Sequence, residues 1–450
     1  MTRSRLYWGI IGGLLLVASG VLHLLARADA PAASRFVILE LLAGLVYLLA
    51  VWQSYRNPAS LSLWYILSIA LGCRLLVLSA PVVFDDDIHR YLWDGKVLAR
   101  GVNPYRYAPL ANELWMLRDE NWTRVGYPQI HTLYPPLAEC LFAGAWLLGL
   151  RTIFLLKCLF LLFDLANILL IVLLLTRLQL PGGWVIAYAW SPLAVKEFAN
   201  SGHLEPVLLF FMLLTLVGVI GKKPRFQLAG AWWGLAILTK FVPLLWAPLL
   251  WRVGRWRMVL PAMLVIGIGY LPFLGAGRQL ISGAGMYSRY WTFNDGIFAV
   301  LSALQRAILP GLARLPINPL RVLVMVVTAG YAVYVARQCR VDDQRALPAA
   351  GGNILAGCLL LSPTVDPWYI CWLLPFLCFT PNAGLLLWTV TCQLSYLYYL
   401  HGTFPVWIPL AEYLPVALVL LGMMIKRQHS ALPVAAQDES TAIRRQPSQT

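Results

Sequence analysis

The sequence is poor in charge. Only 12% of its 450 residues are Asp, Glu, Lys or Arg, about half of the roughly 25% carried by soluble domains. That shortage excludes a cytosolic globular enzyme and a disordered chain. A disulfide scaffold is excluded too. Seven of the eight cysteines sit in apolar runs, Cys339 follows one among arginines, and none falls in the polar segment 82–135. They read as small apolar side chains. No CxxC or zinc spacing occurs, and no P-loop or GxGxxG is present. On the outer face of a membrane, where nucleotide-sugars and ATP are not available, a reaction would need an activated donor carried by lipid.

What the chain has in abundance is apolar and aromatic surface. Hydrophobic residues make up 60%, with 19 Trp, 20 Tyr and 17 Phe, and the mean hydropathy is +0.70. Runs long enough to cross a bilayer occur at 6–26, 35–55, 61–81, 135–150, 152–176, 203–220, 258–275, 320–337, 347–364, 367–381, 384–401 and 406–425. They predict an all-α polytopic membrane protein with about 12 (11–14) transmembrane helices. The first run is too long for a signal peptide, although Ala28-Asp29-Ala30 imitates a cleavage site. The net charge of +15 would suggest nucleic acid in a soluble protein. Here it fits basic loops on the cytoplasmic side, and no nucleic-acid partner is expected.

The basic clusters agree with one topology. Both termini fall inside, and 82–134 forms a large outer loop. The short stretch 226–251 goes in and returns as a hairpin of broken helices with Lys240 at its middle. Residues 1–427 form one transmembrane domain, and 428–450 form a disordered cytoplasmic tail. The segment 183–202 carries Ser191-Pro192, Lys196-Glu197 and Asn200-Ser201-Gly202. It reads as a re-entrant or short outer-leaflet helix, because irregular backbone survives at that depth only beside protein or water.

Chemistry concentrates in the outer loop. Seven of the twenty acidic residues lie between 85 and 120. Asp85-Asp86-Asp87 opens a stretch whose apolar spacing (Ile88, Tyr91, Leu92, Val97) predicts an amphipathic helix on the membrane surface, ended by Gly101-Val102-Asn103-Pro104-Tyr105. Adjacent carboxylates repel, and partial desolvation raises one of them into the range of a general base. A solvated helix cap and a divalent cation on the three aspartates are the alternatives. Lys240 and Arg289 are candidates for binding a phosphate. His203 with Glu205, Asn294 and Asp366 are candidate polar contacts. Lys157 and Asp164 read as a structural pair, with each other or with a neighbour.

Asp86-Asp87-Ile88-His89-Arg90-Tyr91-Leu92-Trp93-Asp94-Gly95-Lys96, followed by Gly101-Val102-Asn103-Pro104-Tyr105, resembles the first outer loop of GT-C fold glycosyltransferases. The nearest likeness is to the polyprenyl-phosphate-sugar-dependent, mannosyltransferase-like branch. Tyr134-Pro135-Pro136-Leu137, Ser191-Pro192-Leu193, Gly202-His203-Leu204-Glu205, Thr239-Lys240-Phe241, Trp291-Thr292-Phe293-Asn294 and Pro367-Trp368-Tyr369 continue it in order. The resemblance implies juxtamembrane helices in that loop and an acidic catalytic base, carried to Asp87 first and Asp86 second. His89 stands where the family often has Tyr, and three runs precede the loop where the archetype has one.

The expected activity is inverting transfer of a hexose, mannose by the family's habit, from a polyprenyl-phosphate donor to an acceptor hydroxyl. Lys240, Arg289 or Arg90 would meet the leaving phosphate; His203, Glu205, Asn294, Asp366 and Tyr134 would line the substrate. The sequence requires no cofactor, and a divalent cation at the aspartates stays open. The expected partners are the lipid-linked sugar, a glycan or lipid acceptor and the bilayer. The expected location is the plasma membrane, with the site facing the periplasm or cell exterior. A transporter or flippase would show matched halves, and a ligase using a lipid-diphosphate donor would show a large basic outer loop. Neither feature is present.

Overall fold

A computed structural model describes residues 3–26, 33–58, 61–313, 315 and 317–431. The Ala28–Ala30 stretch and the tail from 432 lie outside the described residues. The chain is helical almost throughout, with one isolated bridge, Phe293 with Thr364, among the described residues. Helices follow from the apolar runs, because in hydrocarbon each backbone N–H and C=O needs a partner within its own segment.

Six helices are long and apolar enough to cross a membrane, and a seventh span results if one sharply bent pair counts as one. Shorter apolar helices complete the set: Leu63–Leu78, Pro136–Leu147, Phe226–Thr239, Gly296–Ile308, Ala346–Leu361 and Pro367–Leu377. The chain is thus a multi-pass membrane protein. Several expected spans are realised as short or interrupted helices, where Pro, Gly and buried charges end them.

The first helices are α1 (Arg3–Ala26), α2 (Ala33–Arg56) and α3 (Leu63–Leu78). After the connection come α4 (Asp87–Ala99), α5 (Pro136–Leu147) and α6 (Ile153–Arg177). α6 packs on Glu205–Val219, which packs on Phe226–Thr239, which packs on Trp256–Tyr270. That last contact is close because it uses glycine. A Cβ on Gly230 would stand 2.2 Å from the carbonyl oxygen of Met258, and one on Gly234 2.9 Å from that of Ala262. Small residues four apart let helix backbones approach inside a membrane.

α4 departs from the surface-lying helix expected. Ile88 through Gly95 are all buried. One side packs on α5, where a Cβ on Gly95 would lie 2.5 Å from the Phe142 carbonyl oxygen. The polar side is roofed by the connection: His89 meets Asn121 at 2.8 Å, and Lys96 donates to Asp119 at 2.7 Å. Asn103 donates to the Phe273 carbonyl and Tyr105 to that of Tyr134, tying the end of the helix to the bundle.

Residues 193–204 are all buried. A π-helical turn, Val195–Asn200, follows Pro192, and the chain then bends by 116° into Glu205–Val219. Asn200 holds this bend to the start of the connection, accepting from Val83 N–H and donating to the Pro81 carbonyl. Lys157 and Asp164 do not pair with each other. Lys157 donates to the Ala80 carbonyl at 2.8 Å, and Asp164 takes Arg74 at 2.5 Å and Tyr188 at 2.8 Å.

Candidate active site

Three chain breaks meet at one end of the bundle: the start of α4, the 201–204 bend, and the stretch around Lys240. Asp366 joins them from the turn before Pro367. The approach to the aspartates is made through Phe84, a non-glycine residue at φ 53°. Such a conformation costs ~1–3 kcal/mol and persists only where neighbours enforce it. Here Phe84 stacks on Tyr399 at 5.0 Å and meets Phe36 edge-on at 5.4 Å.

The three aspartates have three environments. Asp85 is enclosed. One carboxylate oxygen accepts the Asp87 N–H at 2.9 Å, and the other pairs with His203 Nε2. Burial works to raise its proton affinity, but His203 and Lys196 outweigh burial and hold it below the usual carboxylate range. Asp86 occupies the cap position of α4 without a capping bond. It lies against Gly126, where a Cβ would come 2.3 Å from its oxygen. Burial and the Asp85 charge raise it.

Asp87 keeps 32% of its side chain exposed. Tyr91 lies 3.5 Å from its Oδ2, and His203 Nδ1 3.8 Å. Burial first, then the Asp85 charge, push its pKa up to about 7, against the pull of His203 and Lys240. It is therefore an accessible carboxylate whose proton affinity suits a general base near neutrality.

Cations face this carboxylate. Lys240 follows the last residue of Phe226–Thr239 and pairs with Glu205. Its ammonium stands 5.0 Å from the Tyr369 ring centre and 6.0 Å from that of Trp372. His203 is sandwiched: Trp368 stacks on its face at 4.1 Å, and Glu197 lies 3.3 Å from Nε2. Asp366 is buried in reach of Asp87, His203 and Lys240. Burial and the Asp87 charge hold it well above the usual range. Asp85, Asp87 and His203 offer ligand atoms within 4.8 Å of one another, the one such group among the described residues. The imidazole Nε2 faces both the Asp85 and the Glu197 carboxylates, and its Nδ1 has no hydrogen-bond partner among the described residues.

The structure thus gathers Asp87, Lys240, His203, Glu205 and Asp366, with Tyr134 packed edge-on to Tyr91 behind them at 5.2 Å. It does not gather three other residues. Arg90 spends its guanidinium on Asp94 at 2.8 Å and on the Ile130 carbonyl. Arg289 is exposed near the end of Ser282–Tyr290 and makes no ion pair or hydrogen bond among the described residues. Asn294 gives its amide to Glu412 at 3.0 Å and to the Val365 carbonyl. It holds the strand-like contact of 291–294 with 363–365, and so positions Asp366 from behind. Sequence reasoning missed Asp85 as the closed partner, and it missed Glu197 and Tyr396. The signal for Glu197 was a charged pair, Lys196-Glu197, inside an apolar run. Tyr396 lies 199 residues from Glu197 and carried none.

A buried cluster of ionisable side chains at broken helices within a multi-pass bundle marks a functional site rather than a packing core. The sequence profile of glycosyltransferase family 87 matches residues 132–363, and the chain belongs to that family, a GT-C-type family of membrane glycosyltransferases. The match takes in His203, Glu205 and Lys240, and it begins after the three aspartates. Comparison with curated proteins and with solved structures returns no match.

Proposed function

We propose that this glycosyltransferase moves a hexose, mannose first among candidates, from a polyprenyl-phosphate donor to an acceptor hydroxyl with inversion. The site faces away from the cytoplasm, in a plasma membrane, with both termini inside. Asp87 removes the acceptor proton as the acceptor oxygen bonds to the anomeric carbon. The bond from that carbon to the phosphate oxygen breaks, and polyprenyl phosphate leaves with its new charge facing Lys240. The proton rests on Asp87 until it passes to water. Preorganised cations at the leaving oxygen supply the larger electrostatic share of such catalysis, and the base contributes ~10²–10⁴-fold.

The observation that carries this reading is one arrangement: a partly open carboxylate with its pKa raised to about 7 beside a lysine held among aromatic rings. Lys240 shares its charge with Glu205, and an incoming phosphate would compete for it. The test is turnover of labelled polyprenyl-phosphate mannose and glucose by purified protein in nanodiscs, with octyl hexosides as acceptor probes. Release of polyprenyl phosphate and a product of opposite anomeric configuration are expected. Asp87→Asn should lose ~10²–10⁴-fold. Turnover confined to lipid-diphosphate donors, or near-normal turnover by Asp87→Asn, would overturn the proposal.

A further inference from the structure

The bend before Glu205 holds a polar chain that the transfer step does not use. Lys196, Glu197 and Tyr396 are each buried, as is His203. The Glu197 carboxylate is held at both oxygens: Tyr396 donates to one at 2.6 Å, and the other accepts from Lys196 at 3.1 Å and lies 3.3 Å from His203 Nε2. Lys196 also reaches the Tyr396 hydroxyl. The chain then continues outward, from His203 to Asp85 and from Asp85 to the N–H of Asp87. Every link is a polar contact, and the Trp368 ring covers the imidazole.

The turn bearing Glu197 is π-helical. An extra residue in a helical turn is uncommon and concentrates at functional sites. Here it turns Lys196 and Glu197 toward Tyr396 while the chain leaves through Gly202 at φ 73°. A Cβ at Gly202 would strike Ile88 of α4 at 2.6 Å and Lys157 of α6 at 2.8 Å. The bend therefore sits directly against the helix that carries Asp87. The charges around the imidazole come from every side: Asp85 and Asp87 from the connection and α4, Glu197 from the π turn, Glu205 from the next helix, with Asp366 in reach.

We infer that Glu197, anchored by Lys196 and Tyr396, is a positioning residue that clamps His203 onto Asp85 and so fixes the start of α4 with the Asp87 carboxylate directed at the acceptor. This rests on Asp87 as the base. Glu197 touches no substrate; it acts through His203 and Asp85. Without the clamp the imidazole can turn, Asp85 loses its partner, and the bond that caps Asp87 loosens. His203 lowers the proton affinity of Asp87. A loosened imidazole therefore leaves Asp87 holding its proton to higher pH.

The test uses Glu197→Gln and the charge-neutral Tyr396→Phe in full-length protein in nanodiscs. Two readouts are taken. The first is hydrogen exchange of the peptide covering 84–94, which should quicken in both variants while the middle of α6 stays at wild-type rates. The second is the pH profile of turnover of the polyprenyl-phosphate sugar that the wild type accepts. There kcat should fall about tenfold or more in Glu197→Gln with donor KM nearly unchanged, and the acid limb of Tyr396→Phe should move up by roughly half a pH unit.

Unchanged exchange at 84–94 in Tyr396→Phe overturns the inference, whether or not turnover is measured and whether or not Glu197→Gln folds. Reduced turnover with an unmoved acid limb gives Glu197 only a bulk structural role and overturns it as well. Should Asp87→Asn keep its turnover, the base assignment falls, while the exchange readout still decides on the clamp.

Discussion

Three consecutive aspartates have the same intrinsic acidity, and the fold gives each a different environment. Asp85 is locked to a cation, Asp86 is pressed against Gly126, and Asp87 faces the opening. The pKa of Asp87, about 7, lies above the roughly 3.9 of an unfolded aspartate. Two outcomes follow. Turnover needs the ionised form, so kcat/KM should rise with pH through about 7 and flatten above it, and this limb should vanish in Asp87→Asn. Because the folded state binds the proton more tightly than the unfolded chain, this group makes the protein less stable as pH rises from the unfolded value through the folded one. Asp87→Asn should accordingly raise the melting temperature at pH 8 and leave it nearly unchanged at pH 4, by scanning fluorimetry at both. Lys240→Met should raise donor KM and lower kcat together, because the leaving phosphate loses its cation and Glu205 is left buried without a partner. Unchanged kinetics in that variant would remove Lys240 from the site.

At the level of elements, much was readable. Apolar runs marked the helices, Lys240 sat where a hairpin had to break, and the motif from Asp86 onward marked α4. What could not be read was enclosure. The spacing of Ile88, Tyr91 and Leu92 is that of a surface helix. Only the distant Asn112–Arg124 stretch, folding back through Asn121 and Asp119, converts α4 into a buried one. Arg90 looked like a phosphate ligand for the same reason, since Asp94 four residues on is a partner at helical spacing but also part of a motif. Asn294 was expected to line the substrate, and its amide is instead engaged by Glu412, 118 residues away. Buried pairing also predicts stability effects. Arg74→Met should cost ~3–5 kcal/mol by stranding Asp164, and Arg74→Met with Asp164→Asn should recover part of the loss. Gly95→Leu should separate α4 from α5 and lower the melting temperature by more than Gly101→Ala, since only Gly95 lies against backbone.

Over the whole molecule, burial is uneven. The 183–220 segment is packed nearly all round and α2 keeps one apolar face exposed at Ile38, Leu42, Leu45 and Leu49, whereas the apolar windows of Trp256–Tyr290 and Trp407–Lys426 are each only 17% buried. These two stretches touch the bundle along a narrow seam and show the rest of their surface to the surroundings. In a bilayer, lipid would cover most of their surface, and a micelle does not reproduce its lateral packing. Extraction into short-chain detergent should loosen them first: limited proteolysis should nick 271–296 and 402–407 before any other connection, and added phospholipid should close those sites again. Equal protease resistance in micelle and bilayer would mean that the seams alone hold both stretches in place.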